Sequence, residues 1–127
     1  MVRTKSVSSR IEPQKDGLRI LATRFRGRGL QKNRYHVWMA NLGPSEKLLN
    51  QRNISWREFS LRYKNELLEE TGVDKKNKII KNKGQKFTLR LLKHLSTKMT
   101  ITLLCHCAEE EKECHRHILK ELLSSKI

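Results

Sequence analysis

Thr100–Leu123, TITLLCHCAEEEKECHRHILKELL, is the stretch whose reading decides the fold. Its first six residues are β-branched and apolar, with Ile101, Leu103 and Cys105 on one side of the alternation, and they predict a strand. Ile118, Leu119, Leu122 and Leu123 recur at helical spacing and predict a closing helix. A loop of six residues lies between Cys107 and Cys114, and the helix opens on Cys114-His115-Arg116. Strand, loop and helix in this order set chemistry-bearing residues at the carboxyl end of a strand, where α/β proteins bind their ligands. All three cysteines and three of the five histidines fall within the stretch.

Working outward, Leu18–Thr23 alternates Leu18, Ile20 and Ala22 against Arg19, Leu21 and Thr23 and predicts a first, mostly buried strand. Arg24–Leu30 follows as a flexible loop with two glycines and three arginines. Tyr35, Trp38, Met39 and Leu42 are spaced for a helix over 31–42. Gly43-Pro44-Ser45 stops it and starts a short helix through Leu48 and Leu49. Ser55-Trp56-Arg57-Glu58 is a capping box, and its helix carries Trp56, Phe59, Tyr63 and Leu67 on one stripe. Leu91, Leu92 and Leu95 predict a further helix over 87–97. Two strands joined by a helical crossover of about 75 residues imply parallel pairing. The expected architecture is an α/β fold, a small parallel sheet flanked by helices in a single compact domain over 17–127. A basic flexible tail over 1–16 precedes it, and a Lys-rich loop interrupts it at about 73–86.

A chain of 127 residues suits one domain. Net charge +15 is the strongest compositional fact, and it points to a polyanionic partner. The excess is segregated: residues 1–34 and 73–99 each carry +8, while 35–72 carry 0 and 100–127 carry −1. A merely solubilising surface would intersperse both signs. No apolar run approaches the ~18 residues of a membrane span, and the first residues lack the apolar core of a signal peptide. An odd number of cysteines without an export signal reads as reduced thiols, and the expected compartment is the cytoplasm.

At this point the residues resemble a family, the YeaO-like proteins or domain of unknown function 488. The resemblance is carried by Leu18–Arg24, Arg28-Gly29-Leu30, Trp38 through Leu42-Gly43-Pro44-Ser45, Trp56 with Phe59, Arg62-Tyr63, Thr102–Cys105 and Cys114-His115-Arg116. These motifs follow the family's order over roughly residues 17–125, and the cysteine-containing pattern looks most like archaeal members. The resemblance implies an intracellular α/β domain and supplies no reaction. The chain departs from it where members carry a Trp-Pro-Arg-Gly-Leu-like loop; here Phe25-Arg26-Gly27-Arg28-Gly29-Leu30 adds charge.

Four sites are candidates. An anion pocket would use Arg24, Arg28, Ser45 and Arg116 with Cys105, since helix amino ends and guanidinium groups suit phosphate; the plainer reading makes these arginines structural. Thiol catalysis would use Cys105, Cys114 and His115, against the plainer reading of buried cysteines as small hydrophobes. Cys105, Cys107, Cys114 and His115 offer zinc ligands, although the spacing is not a standard finger and ligands one residue apart on an extended strand point to opposite faces. Finally, Arg24, Arg26, Arg28, Lys32 and Arg34, with Lys75, Lys76, Lys78, Lys81, Lys83 and Lys86, form two basic blocks suited to phosphate backbone.

The blocks weigh most. The expected function is RNA binding, with rRNA and neighbouring ribonucleoprotein proteins as partners in a ribosomal or ribosome-associated setting. It needs no cofactor, membrane or homo-oligomer. The alternative is an enzyme or small-anion binder built on the Cys/His/Arg pocket.

Overall fold

The computed structural model describes residues 1–68 and 85–125. Four strands, β1 (Val2–Ser6), β2 (Leu18–Leu21), β3 (Val37–Trp38) and β4 (Ile101–Cys105), form one sheet in the order β1-β4-β2-β3, every pairing parallel. Helix α1 is a single turn (Pro13–Asp16) and α2 another (Glu46–Leu49); α3 (Trp56–Leu68), α4 (Gln85–Ser96) and α5 (His115–Leu123) are longer. The expected α/β architecture with a parallel β2–β4 pair is what the chain adopts.

The alternation along β2 and β4 divides the molecule in two. Ile20, Ile101 and Leu103 join the main core with Tyr63 and Leu67 of α3, Leu89 and Leu92 of α4, and Ile118, Leu119, Leu122 and Leu123 of α5. The long helices thus share one face of the sheet. On the other face Leu21 and Leu104 meet Val7, Leu30 and Tyr35, so a loop rather than a helix layer covers them. The caps work as their sequence implies: Ser55 Oγ accepts the Glu58 amide at 3.1 Å, and Ser45 Oγ accepts that of Leu48 at 3.2 Å.

Three expectations are corrected. Residues 1–16 do not form a flexible tail, because Val2–Ser6 pairs along the whole of β4 and α1 follows it. The helix over 31–42 is absent. In its place are 3₁₀ turns at Lys32–Arg34 and Ala40–Leu42 around β3, whose flanking amides bind β2 (His36 N to Arg19 O, 2.8 Å; Met39 N to Leu21 O, 2.9 Å). An open sheet edge offers the backbone partners that outweigh a short helical period. The Lys-rich loop does not reach 86, since Gln85 and Lys86 already belong to α4. Lys75, Lys76, Lys78, Lys81 and Lys83 lie outside the described residues.

What admits β1 to the sheet is a buried carboxylate. Asp16, fully buried, meets Lys5 Nζ at 3.2 Å, Arg19 Nη1 at 2.9 Å and Arg3 Nη1 at 3.4 Å, and takes the Glu12 amide at 2.9 Å. Its own carbonyl accepts Thr102 Oγ1 of β4 at 2.6 Å. Burial alone would raise its carboxyl pKa, but the Glu12 amide, Lys5 and Arg19 together hold it below the usual 3.8. Its stabilising contribution is therefore complete above pH 3.8 and is lost as the pH falls through the lower folded-state value. Asp16→Asn should cost about 3–5 kcal/mol in urea unfolding at neutral pH, because it strands buried cations. It should also flatten the acid limb of the stability curve. An unchanged midpoint would show the cluster to be incidental.

A thiol and guanidinium cluster at the carboxyl edge

The loops that follow β1, β2 and β4 emerge together at the carboxyl edge of the sheet. β4 ends at Cys105, and the backbone bends over His106 and Cys107. Residues two apart along an extended chain share a side, and Cys107 stays on the side of Cys105. Helix α5 then brings Cys114, its N-cap, to the same point. The sulfurs of Cys105, Cys107 and Cys114 all lie within 4.8 Å of one another, a set compact enough to hold a metal ion. Cys105 and Cys114 are buried and their sulfurs are 3.0 Å apart, while Cys107 is half-buried.

Arg116, on the first turn of α5, closes the loop over this group and is only 1% exposed. Nη1 donates to Cys105 Sγ at 2.7 Å and reaches Cys107 O at 3.5 Å. Nη2 donates to the carbonyls of Ala108 and Glu109 at 3.1 and 3.0 Å and lies 3.7 Å from the Glu109 carboxylate. That carboxylate in turn accepts the Ser6 amide at 2.7 Å, tying the loop to the end of β1. A guanidinium does not give up its proton, so its burial demands an anion beside it. The Glu109 carboxylate supplies one, and the sulfur beside the guanidinium is that of Cys105. A hydrogen bond from Cys114, and then the Arg116 guanidinium, hold its thiol below the ordinary range against the opposing effect of burial. Cys114, as the donor to that sulfur, moves up, and burial also raises Cys107.

His115 completes the cluster. Its Nε2 is 2.5 Å from Ala22 O, and the ring stands edge-on to Tyr63 with centroids 5.7 Å apart. Burial lowers its pKa to about 4, so at neutral pH the ring is uncharged and Nε2–H donates to the carbonyl. Nδ1 keeps its lone pair, 3.9 Å from Cys114 Sγ.

The remaining candidates serve other tasks. Arg24 donates to Pro44 O at 3.0 Å and Gly43 O at 2.8 Å, and Ser45 binds Glu66 through both its amide and its hydroxyl. Arg24, Ser45 and Arg116 therefore point their donors at protein acceptors. Arg34 donates to the carbonyls of Val7 and Ser9 at 2.7 and 2.6 Å. Arg26 donates to Tyr35 Oη at 2.6 Å and to Leu30 O, packed over the tyrosine ring. Arg28 and Lys32 are exposed. Phe25, near the arginines of its loop, suits stacking as the sequence implies, but sequence reasoning overlooked Trp38, placed on a helix, as a second exposed ring; the two are 55% and 41% accessible. The absence of any acidic residue from 17 to 45 was the signal available for that surface. Gly27, at φ +94°, lies against His106, whose ring would be 2.7 Å from an added Cβ, and His106 Nε2 contacts Phe25 O at 3.2 Å. The Phe25 loop and the cysteine loop thus touch.

In reduced, chelator-treated protein one thiol should ionise below the ordinary thiol range, seen as ultraviolet thiolate absorbance during a pH titration. Arg116→Met should move that step upward. A single step at the ordinary thiol pKa in both proteins would contradict a thiolate at Cys105.

No helix among the described residues is long and apolar enough to cross a membrane. Comparison with known proteins adds one match, to a family model described as "Active DUF488-N3 subclade", over residues 2–127. Neither a curated protein nor a solved structure matches the chain. A match of this extent includes β1 as well as the cysteine loop, and the chain belongs to the DUF488 family.

Proposed function

We propose that this protein binds RNA across the β3 side of the carboxyl edge, in an rRNA-containing ribonucleoprotein setting. One observation carries the reading: Phe25 and Trp38 expose their rings, and Arg28 and Lys32 are exposed, in one segment of sequence, 17–45, without a single carboxylate. Exposed rings stack on unpaired bases while cations take the phosphates, the combination used for single-stranded RNA. The rings are held in relation to each other, since Trp38 Nε1 donates to Thr23 O at 2.8 Å and Thr23 Oγ1 to Phe25 O at 2.6 Å. Exposed Glu110, Glu111 and Glu113 lie beyond His106 and repel phosphate, directing the strand toward β3. The basic segment 75–83 extends the charge available for backbone neutralisation. No organic cofactor enters this reading; the three thiols suit a thiophilic ion such as zinc.

A second reading rests on the 2.7 Å contact between Arg116 Nη1 and Cys105 Sγ. The matched subclade is described as active, and an activated thiolate at a strand end is where nucleophilic chemistry would lie. On this reading Cys105→Ser abolishes a turnover and leaves RNA binding unchanged.

The RNA reading is tested by fluorescence anisotropy with a single-stranded RNA at several salt concentrations. The double variant Arg28→Glu/Lys32→Glu should bind at least about tenfold more weakly, and its log–log salt slope should fall by about 1.4, for two lost phosphate contacts. Phe25→Ala should weaken binding and leave the slope intact. Wild-type affinity in both variants would sink the proposal.

A further inference from the structure

The cysteine cluster has a feature that buried hydrophobes do not need. Three sulfurs, from the end of β4, the bend after it and the N-cap of α5, converge within 4.8 Å. The neighbouring histidine is also set in one tautomer. By giving its Nε2 proton to Ala22 O at 2.5 Å, His115 leaves Nδ1 as a bare lone pair 3.9 Å from Cys114 Sγ. Histidines that ligate metals are oriented in this way, with the far nitrogen held by a carbonyl. We propose that Cys105, Cys107, Cys114 and His115 form a closed tetrahedral site for a thiophilic divalent ion, zinc by preference.

Charge supports the assignment. Three thiolates and a dication leave a net −1, which the buried Arg116 guanidinium neutralises through its N–H···S bond to Cys105. Arg116 then keeps a counter-charge whether or not Cys114 retains a proton. Geometry supports it as well. Ligand sulfurs on zinc, at bonds of about 2.3 Å, stand about 3.8 Å apart. The Cys105–Cys114 separation of 3.0 Å opens by under an ångström to reach that value. Four protein ligands leave no open position, so the ion is structural rather than catalytic. It would clamp the end of β4 to the start of α5 and hold the 106–114 loop against the Phe25 loop through His106.

The inference stands apart from RNA binding, and its test reads the ion alone. Full-length protein, reduced with a phosphine and stripped of metal, is titrated anaerobically with Co²⁺. Expected are a thiolate-to-cobalt charge-transfer band and intense tetrahedral d–d bands, saturating at one ion per chain and displaced by zinc. Cys107→Ser, at the half-buried position, should lower the charge-transfer intensity by about a third, for one of three thiolates lost. His115→Gln should keep that band and shift the d–d bands. Circular dichroism checks that each variant remains folded. A folded wild type showing only the weak octahedral spectrum of hydrated cobalt would overturn the proposal. So would equal charge-transfer intensity in Cys107→Ser, or a Cys105–Cys114 disulfide as the sole state that persists under the reductant.

Discussion

Beneath the loop after β4 lies a guanidinium with almost no access to water, and the carboxyl edge is organised around keeping it charged and bonded. Arg116 takes the carbonyls of Ala108 and Glu109, the sulfur of Cys105 and the flank of the Glu109 carboxylate. Each contact has a structural consequence. The carbonyls curl the loop back over β4, the sulfur becomes the buried anion, and Glu109 carries the attachment on to Ser6 of β1. Removing one charged partner from such a set costs far more than the pair contributes net, so the cluster fixes geometry more than it adds stability.

A second buried charge cluster does the same along β1, at Arg3 and Lys5. Asp16 gathers Lys5, Arg19 and Arg3 and binds Thr102 through its carbonyl. Between them the two clusters account for an edge strand that carries an arginine and a lysine and pairs with β4, whose one hydroxyl side chain is Thr102. Cations of the first basic block are partly consumed this way, since Arg24 and Arg34 also bind backbone carbonyls. The block therefore yields a smaller free surface than its charge suggests. That surface keeps Arg28 and Lys32 exposed together with the rings of Phe25 and Trp38.

The legible parts of the chain were those where one local rule decides. β4 and α5 follow from alternation and helical spacing, α3 from its capping box, and the parallel sheet from the length of the crossover. β1 was hidden because Lys5, 6% exposed, reads as a tail residue until Asp16 is seen beside it, and periodicity carries no such pairing. β3 was hidden because two residues cannot show a period, while Tyr35, Trp38, Met39 and Leu42 happen to match a helical one. The thiol cluster was half legible. Its members could be named, but their convergence depends on the loop that returns Cys114 to the end of β4, which spacing alone does not reveal.

The account holds that the molecule engages RNA at the β3 side of the carboxyl edge, beside a cysteine cluster whose task is to hold the loops in place. Ultraviolet crosslinking of the wild-type protein to single-stranded RNA, followed by mass-spectrometric mapping of the crosslinked peptides, tests this most directly. The account predicts crosslinks at Phe25 and Trp38 and none on the α3, α4 and α5 face. Crosslinks confined to that helical face, or no crosslink at low salt, would contradict it.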